Sequence, residues 1–314
     1  MSKYTKKPSS PEGLKTYSLL SRKSKVDVKN FARPVKASSS VAQFIDALPE
    51  ILAGRDFKLF LKEMRRAKEK RKAIIFALGA HVIKVGLTPL IIELIKKGWI
   101  TGLALNGAGI IHDFEVAFCG RTSEEVEIHL QKGRFGMAEE TGMMLNRAIN
   151  EGASEGIGLG EAVGRLIAGS DFPHKQASLL GAAYEYSIPV TVHVALGTDT
   201  IHFHPQVRGE ALGQTSLQDF FLFCSLVEEL DQGGVLINIG SAVILPEVFL
   251  KALTFVRNKG IRCEDFTTAV FDFKLHYRPL ENVVKRPVRE KGKGFYFIGH
   301  HEIMIPLLTA YLLG

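Results

Sequence analysis

The sequence predicts a doubly wound α/β domain, a mostly parallel sheet with helices on both faces. Three observations carry this reading. Short apolar runs of about five or six residues alternate with helical stretches of about ten to fourteen. The short runs are apolar at successive positions and do not alternate with polar residues, as strands covered on both faces require. Polar, glycine-bearing segments follow the runs, and an open parallel sheet presents its ligand at the carboxyl ends of its strands.

Residues 1–40 form a basic leader, mixed with Ser and Pro, and read as a solvated arm. Residues 41–314 read as one α/β domain. Within it, 41–52 and 57–71 each carry one apolar stripe and are predicted as helices. Strands are expected at 73–78 and 101–105, with a helix at 90–97 after Thr88-Pro89. Asn106-Gly107 turns the chain, and a helix is expected to open near His112-Asp113. Short helices follow at 123–130 and 172–188. The glycine run GIGLGEAVG at 156–164 follows a polar segment and not a strand, so it reads as a loop leading into a helix. Residues 189–196, 235–239, 265–272 and 295–299 complete the strands. Helices at 217–230, 246–257 and 302–311 lie between and after them. The stretch 276–293 is poorly periodic and reads as a basic loop.

Composition narrows the function. The chain has 314 residues, a hydrophobic share of 46%, a charged share of 23% and a formal net charge of +7. These are values of a soluble globular protein. The basic leader is not interleaved with aromatics and no groove-reading motif follows, which argues against nucleic acid. Three cysteines without a CxxC pair suit a reducing cytoplasm. No apolar run is long enough to span a bilayer, so no membrane role is expected.

The ten histidines all lie beyond the leader, most in Gly-rich segments at predicted strand ends. Gly79-Ala80-His81, Asn106-Gly107-Ala108-Gly109, Gly240-Ser241-Ala242 and His300-His301 thus read as one composite polar rim. His202 and His204 would present both imidazoles on one side if extended. With Asp199, His193, His300, His301 and Glu302 they make a candidate metal set, although the spacing matches no zinc motif and no metal is expected.

Taken together, these segments resemble the deoxyhypusine synthase family over roughly residues 70–313. The resemblance rests on LNGAGIIHDFE at 105–115, IPVTVHVALGTD at 188–199, DFFLF at 219–223 and GGVLINIGSAVI at 233–244. It also rests on TTAVFD at 267–272, RPLE at 278–281 and GHHEIMIPLLTA at 299–310. It implies a Rossmann-like fold, a homotetramer with active sites at dimer interfaces, NAD as cofactor and a small cationic amine or polyamine as substrate. By this resemblance Gly79, Ala80, His81, Asn106, Gly107, Ala108, Gly109, Gly240, Ser241, Ala242, Thr267, Thr268, Ala269, Asp272, His300 and His301 flank the dinucleotide. His112 and Asp113 stand where the family has an acidic pair near the amine.

The departures point to a divergent branch. The family's imine-forming lysine follows a Trp-Gly pair shortly after Arg-Pro. Here Arg278-Pro279 is present but the single tryptophan is Trp99, and Pro287 takes the lysine's place with Lys285 two residues before it. Lys285 and Lys84 are the candidate substitutes. The family histidine after the GGVLI-type strand is replaced by Leu245-Pro246-Glu247, which makes Glu247 a further candidate. The expected activity is therefore an NAD-dependent transferase or oxidoreductase acting on an amine, and not deoxyhypusine synthesis itself. The alternatives are a metal-dependent hydrolase on the same rim and a non-catalytic oligomeric binding protein.

Overall fold

The apolar runs become the strands β1 Ile74–Leu78, β2 Gly102–Asn106, β3 Val190–His193, β4 Val235–Ile239, β5 Thr267–Asp272 and β6 Lys293–Ile298. In the computed structural model, which describes residues 2–314, all of them pair in parallel in the order β3-β2-β1-β4-β5-β6. This is the doubly wound, Rossmann-like arrangement, and its order reverses between β1 and β4.

Helices cover both faces. In chain order they are α1 Val41–Ala47, α2 Leu52–Glu69, α3 His81–Lys84, α4 Thr88–Lys96, α5 Gly107–Cys119, α6 Val126–Gln131 and α7 Glu139–Glu155. Then come α8 Leu159–Ala168, α9 Leu179–Glu185, α10 Gly209–Glu228, α11 Ile244–Asn258, α12 Tyr277–Pro279 and α13 His301–Leu313. Strands β1, β4 and β5 are buried at every position. Alternate residues serve two cores: Ile74, Phe76 and Leu78 of β1 face one, Ile75 and Ala77 the other. On the first face α2 sets Phe57 and Phe60 against Phe271, Phe295 and Phe297, with ring centroids 5.4–6.1 Å apart. Strand β6 lies at the sheet edge, and only Phe295 and Phe297 of its residues are buried.

Several boundaries differ from the sequence reading. The first helix stops at Ala47, before Leu48-Pro49, because the residue before a proline is pushed out of the helical region. Helix α2 therefore starts at Leu52. Helix α5 begins directly at the end of β2, with Asn106 as its N-cap residue, and not near His112. Helix α7 has no counterpart in the sequence reading: Gly142, Asn146 and Gly152 interrupt its apolar face. Of 172–188 only α9 is α-helical. The stretch 276–293 is a loop only in its second part, 286–292: before it, α12 continues as a π-helical segment, Leu280–Lys285, that packs on β5 and β6. In the leader, none of residues 2–40 is buried.

Candidate functional site

The switch point between β1 and β4 is built from two glycines. A Cβ on Gly79 would stand 2.3 Å from the carbonyl oxygen of Gly240, so the two strand exits touch through backbone alone. Gly240 has φ +69°, the left-handed conformation that favours glycine. His301, the buried first residue of α13, lies against Gly240 and bonds the carbonyl of Phe271 through Nε2 at 3.1 Å. His81 packs on it with ring centroids 5.6 Å apart. His300 caps α13 and is exposed. The amides of Ala80, Ser241 and Ala242 meet no acceptor among the described residues. The Ser241 hydroxyl accepts from the Leu245 amide at 3.2 Å, and Asn238 Nδ2 donates to the Ser241 carbonyl at 2.9 Å. Asp272 ends β5 beside this point, 3.7 Å from His276 Nε2.

Toward β2 and β3 the rim opens into a cavity of about 240 Å³, with Lys84, Ala108, His112, Glu115, Glu124 and Asp199 in its wall. Each comes from a different turn of the chain. Lys84 ends α3, Ala108 and His112 lie in the first turns of α5, and Asp199 follows the loop after β3. Gly107 is the residue that lets Asp199 in: a Cβ there would sit 2.0 Å from Asp199 Oδ2. This oxygen is buried and makes no hydrogen bond, although His202 Nε2, itself unbonded, lies 3.7 Å from it; Asn106 Oδ1, nearby in the same helix start, is also unbonded. Burial raises Asp199 to about 6, against a bond from Thr198 that lowers it. His112 goes the other way, down to about 4, through burial and the facing Lys84 ammonium. The imidazole is therefore neutral at pH 7. A second cavity of about 740 Å³ adjoins the first and shares Glu115, Glu124 and Thr141 with it.

Other residues singled out by the sequence are not on this rim. Asp113 is fully buried and turned away, toward the start of α9: it accepts from the Ser178 hydroxyl at 2.5 Å and from the Leu179 and Leu180 amides at 2.7 and 3.0 Å. Thr267, Thr268 and Ala269 open β5 and lie at the amino end of the sheet, opposite Val235 to Ile237 of β4. Lys285 is at that end too. The helical segment carrying it runs antiparallel to the strands, so that the Val283 carbonyl receives the Thr268 hydroxyl at 2.7 Å. Lys285 itself pairs with Glu281 at 2.7 Å. Glu247, in the first turn of α11, holds Asn282 Nδ2 at 2.9 Å and Arg278 Nε at 3.3 Å, and so ties the 277–285 segment to α11.

The His202–His204 segment is not extended. Thr200–Phe203 is a 3-10 turn, and the two imidazoles have separate tasks. His202 Nδ1 accepts the Gly197 amide at 3.1 Å, whereas His204 is packed on Gly142 and bonds the Gly136 carbonyl at 3.2 Å. His193 is buried against Phe223, and burial pushes it down to about 3. Among the described residues no three His, Cys, Asp or Glu side chains converge as metal ligands. The cavity residues Glu115, Glu124 and Thr141 escaped the sequence reading. Glu115 had a signal: it lies three residues after His112, on the same side of a helix.

No protein-family model matches the chain, and its sequence matches no curated protein. Solved structures do match. A protein assigned as a deoxyhypusine synthase from Entamoeba histolytica superposes with a TM-score of 0.51 at 11% identity, over 89% of this chain and 95% of that one. A protein assigned to the LOR/SDH group, from Methanococcus maripaludis S2, gives 0.51 at 14% identity, over 84% and 70%. AgrE, in a ternary complex with ornithine and NAD+, gives 0.51 at 13% identity, over 90% of this chain and 35% of AgrE. The chain shares the doubly wound, Rossmann-like fold of these proteins. At these identities the likeness is one of fold, and it assigns the chain to no family. The chain spans about a third of the length of AgrE. Among the described residues no helix is long and apolar enough to cross a membrane.

Proposed function

We propose that the chain is an NAD-dependent enzyme that acts on a small cationic amine or polyamine in the cavity between Lys84, His112 and Asp199. One observation carries the substrate class. Three carboxylates, Glu115, Glu124 and Asp199, line the cavity against the single ammonium of Lys84. One of them, Asp199, keeps a buried oxygen that makes no hydrogen bond and has only His202 Nε2 beside it, at 3.7 Å. A buried acceptor left unpaired is costly, and a cationic ligand would satisfy it. Lys84 would serve as the nucleophile only after its ammonium gives up a proton, for which His112, neutral at pH 7, is the adjoining acceptor.

For the dinucleotide, the switch point fits in one respect: unbonded amides of Ala80, Ser241 and Ala242 are donors of the kind a phosphate seeks. Gly79, His81, Gly240, His300 and His301 would flank it. NAD, when bound, supplies the hydride acceptor. Asn238 Oδ1, a second buried acceptor without a partner, lies under the same turn. With Lys285 at the amino end of the sheet, the reading is of an amine enzyme distinct from deoxyhypusine synthase. Assembly as a homotetramer belongs to the same proposal, with exposed Leu217, Phe221 and Val243 as surface for a second copy.

Isothermal titration calorimetry with NAD and with spermidine tests this. Both should bind the wild type. Asp199→Asn should weaken spermidine roughly tenfold or more while sparing NAD, as expected when a buried charge partner is removed. Lys285→Ala should change neither. Absence of binding by both ligands would overturn the proposal.

A further inference from the structure

We propose that Thr122 and Glu115 are positioning residues that fix His112 in the tautomer with its proton on Nδ1, leaving Nε2 as the proton acceptor of the cavity. The inference deepens the reading of the cavity as an amine site and rests on it for its function.

The geometry is a chain of three side chains. Thr122 Oγ1 stands 2.5 Å from Glu115 Oε2, and His112 Nδ1 stands 2.6 Å from the same hydroxyl. The other oxygen of Glu115 accepts the Thr141 hydroxyl at 3.2 Å, which holds the carboxylate in place from α7. A hydroxyl has one proton, and an ionised carboxylate has none to give. Thr122 must therefore donate to Glu115, because two bare oxygens at that separation would repel. Its lone pairs then face Nδ1, so Nδ1 is the donor. A neutral imidazole carries one N–H, and Nε2 is left with its lone pair. The order of donation is Nδ1–H to Thr122, and Thr122 to Glu115.

The spacing explains how the fold builds this. His112 and Glu115 are three residues apart on α5, one turn of a single face. Helix α5 ends at Cys119 with Gly120 in the left-handed conformation, φ +71°, and the chain turns back to bring Thr122 over the pair. Thr122 lines the larger cavity and His112 the smaller, with Glu115 in the wall of both. The charged groups around the imidazole are Lys84 from α3, Glu115 from its own helix, Glu124 from the segment before α6 and Asp199 from the loop after β3. Proton uptake at Nε2 would place a cation between Glu115 and the cavity carboxylates, with Lys84 opposing it. Nε2 is thus the ring nitrogen offered to a proton donor held in the cavity, and burial with Lys84 makes it a weak base there.

Nitrogen-15 NMR of histidine-labelled protein reads the tautomer without ligand or turnover. A failure here is therefore separable from a failure of amine or NAD binding. His112 is assigned by the signal lost in His112→Gln. In the wild type at pH 7 the Nδ1–H form should exceed the Nε2–H form by roughly tenfold, about the worth of one hydrogen bond between neutral groups. Thr122→Val should remove that excess and Thr122→Ser should restore it. A dominant Nε2–H form in the wild type would overturn the proposal. So would a Thr122→Val spectrum unchanged from wild type. If Thr122→Val does not fold, the wild-type tautomer alone decides.

Discussion

Asp219 shows how one side chain makes stability depend on pH. It is buried under α8 and β3, where one oxygen accepts the Val192 amide at 2.7 Å and the Gly160 amide at 2.9 Å and the other has no partner. Burial lifts it to about 7, outweighing the two amides. Between the unfolded value and this one, the folded chain keeps a proton that the unfolded chain releases. The contribution is thus favourable at low pH and is lost as pH rises through about 4 to 7. Asp113 and Asp199, each at about 6, act in the same direction. His193 and His112, lowered to about 3 and 4, act in the opposite one, since below the ordinary imidazole value the unfolded chain takes up protons that these buried rings, still neutral, do not, so stability falls as pH falls. Asp219→Asn isolates one member of the balance. Relative to wild type it should gain on the order of 4 kcal/mol in urea unfolding between pH 4 and 8. No change in that difference would mean Asp219 ionises normally. The sequence marked His112 and Asp113 as a pair. Neighbours on a helix point about 100° apart, so only the packing of α9 could show that the aspartate serves as a buried cap and the histidine faces the cavity.

At the scale of elements, the strands were the most legible part, because five or six apolar residues in a row between polar exits leave few alternatives. Their exits carry the composite rim the glycines and histidines predicted. Gly79→Ala probes the join directly. With backbone at 2.3 Å and no flexible side chain to give way, the variant should lose about 1–3 kcal/mol or more in chemical denaturation. A neutral result would mean that the β1 and β4 exits can separate. Two elements were not legible. Helix α7 hides its pattern behind buried Gly142, Asn146 and Gly152. The 277–285 segment is short, basic and π-helical, and its direction decides the place of Lys285. A lysine two residues from the expected position in sequence thus ends at the amino end of the strands, away from the rim, something spacing alone does not reveal.

For the whole molecule, the order β3-β2-β1-β4-β5-β6 decides which loops meet. It brings the exits of β1 and β4 together at the switch point, and those of β2 and β3 together around Asp199 and the start of α5. Residues 79, 107, 112, 199 and 301, far apart in sequence, therefore share one rim. The rim divides into a backbone-lined half, where we propose the dinucleotide, and a carboxylate-lined half, where we propose the amine. Thr267, Thr268, Ala269 and Lys285 belong to the other end of the sheet. A crystal structure of the protein with NAD and spermidine tests this division most directly. The account predicts the dinucleotide phosphates on the amides of Ala80 and Ser241, and an amine nitrogen within hydrogen-bond distance of Asp199 Oδ2, beside His112. An amine bound near Lys285, or a dinucleotide seated away from the β1–β4 exits, would contradict it.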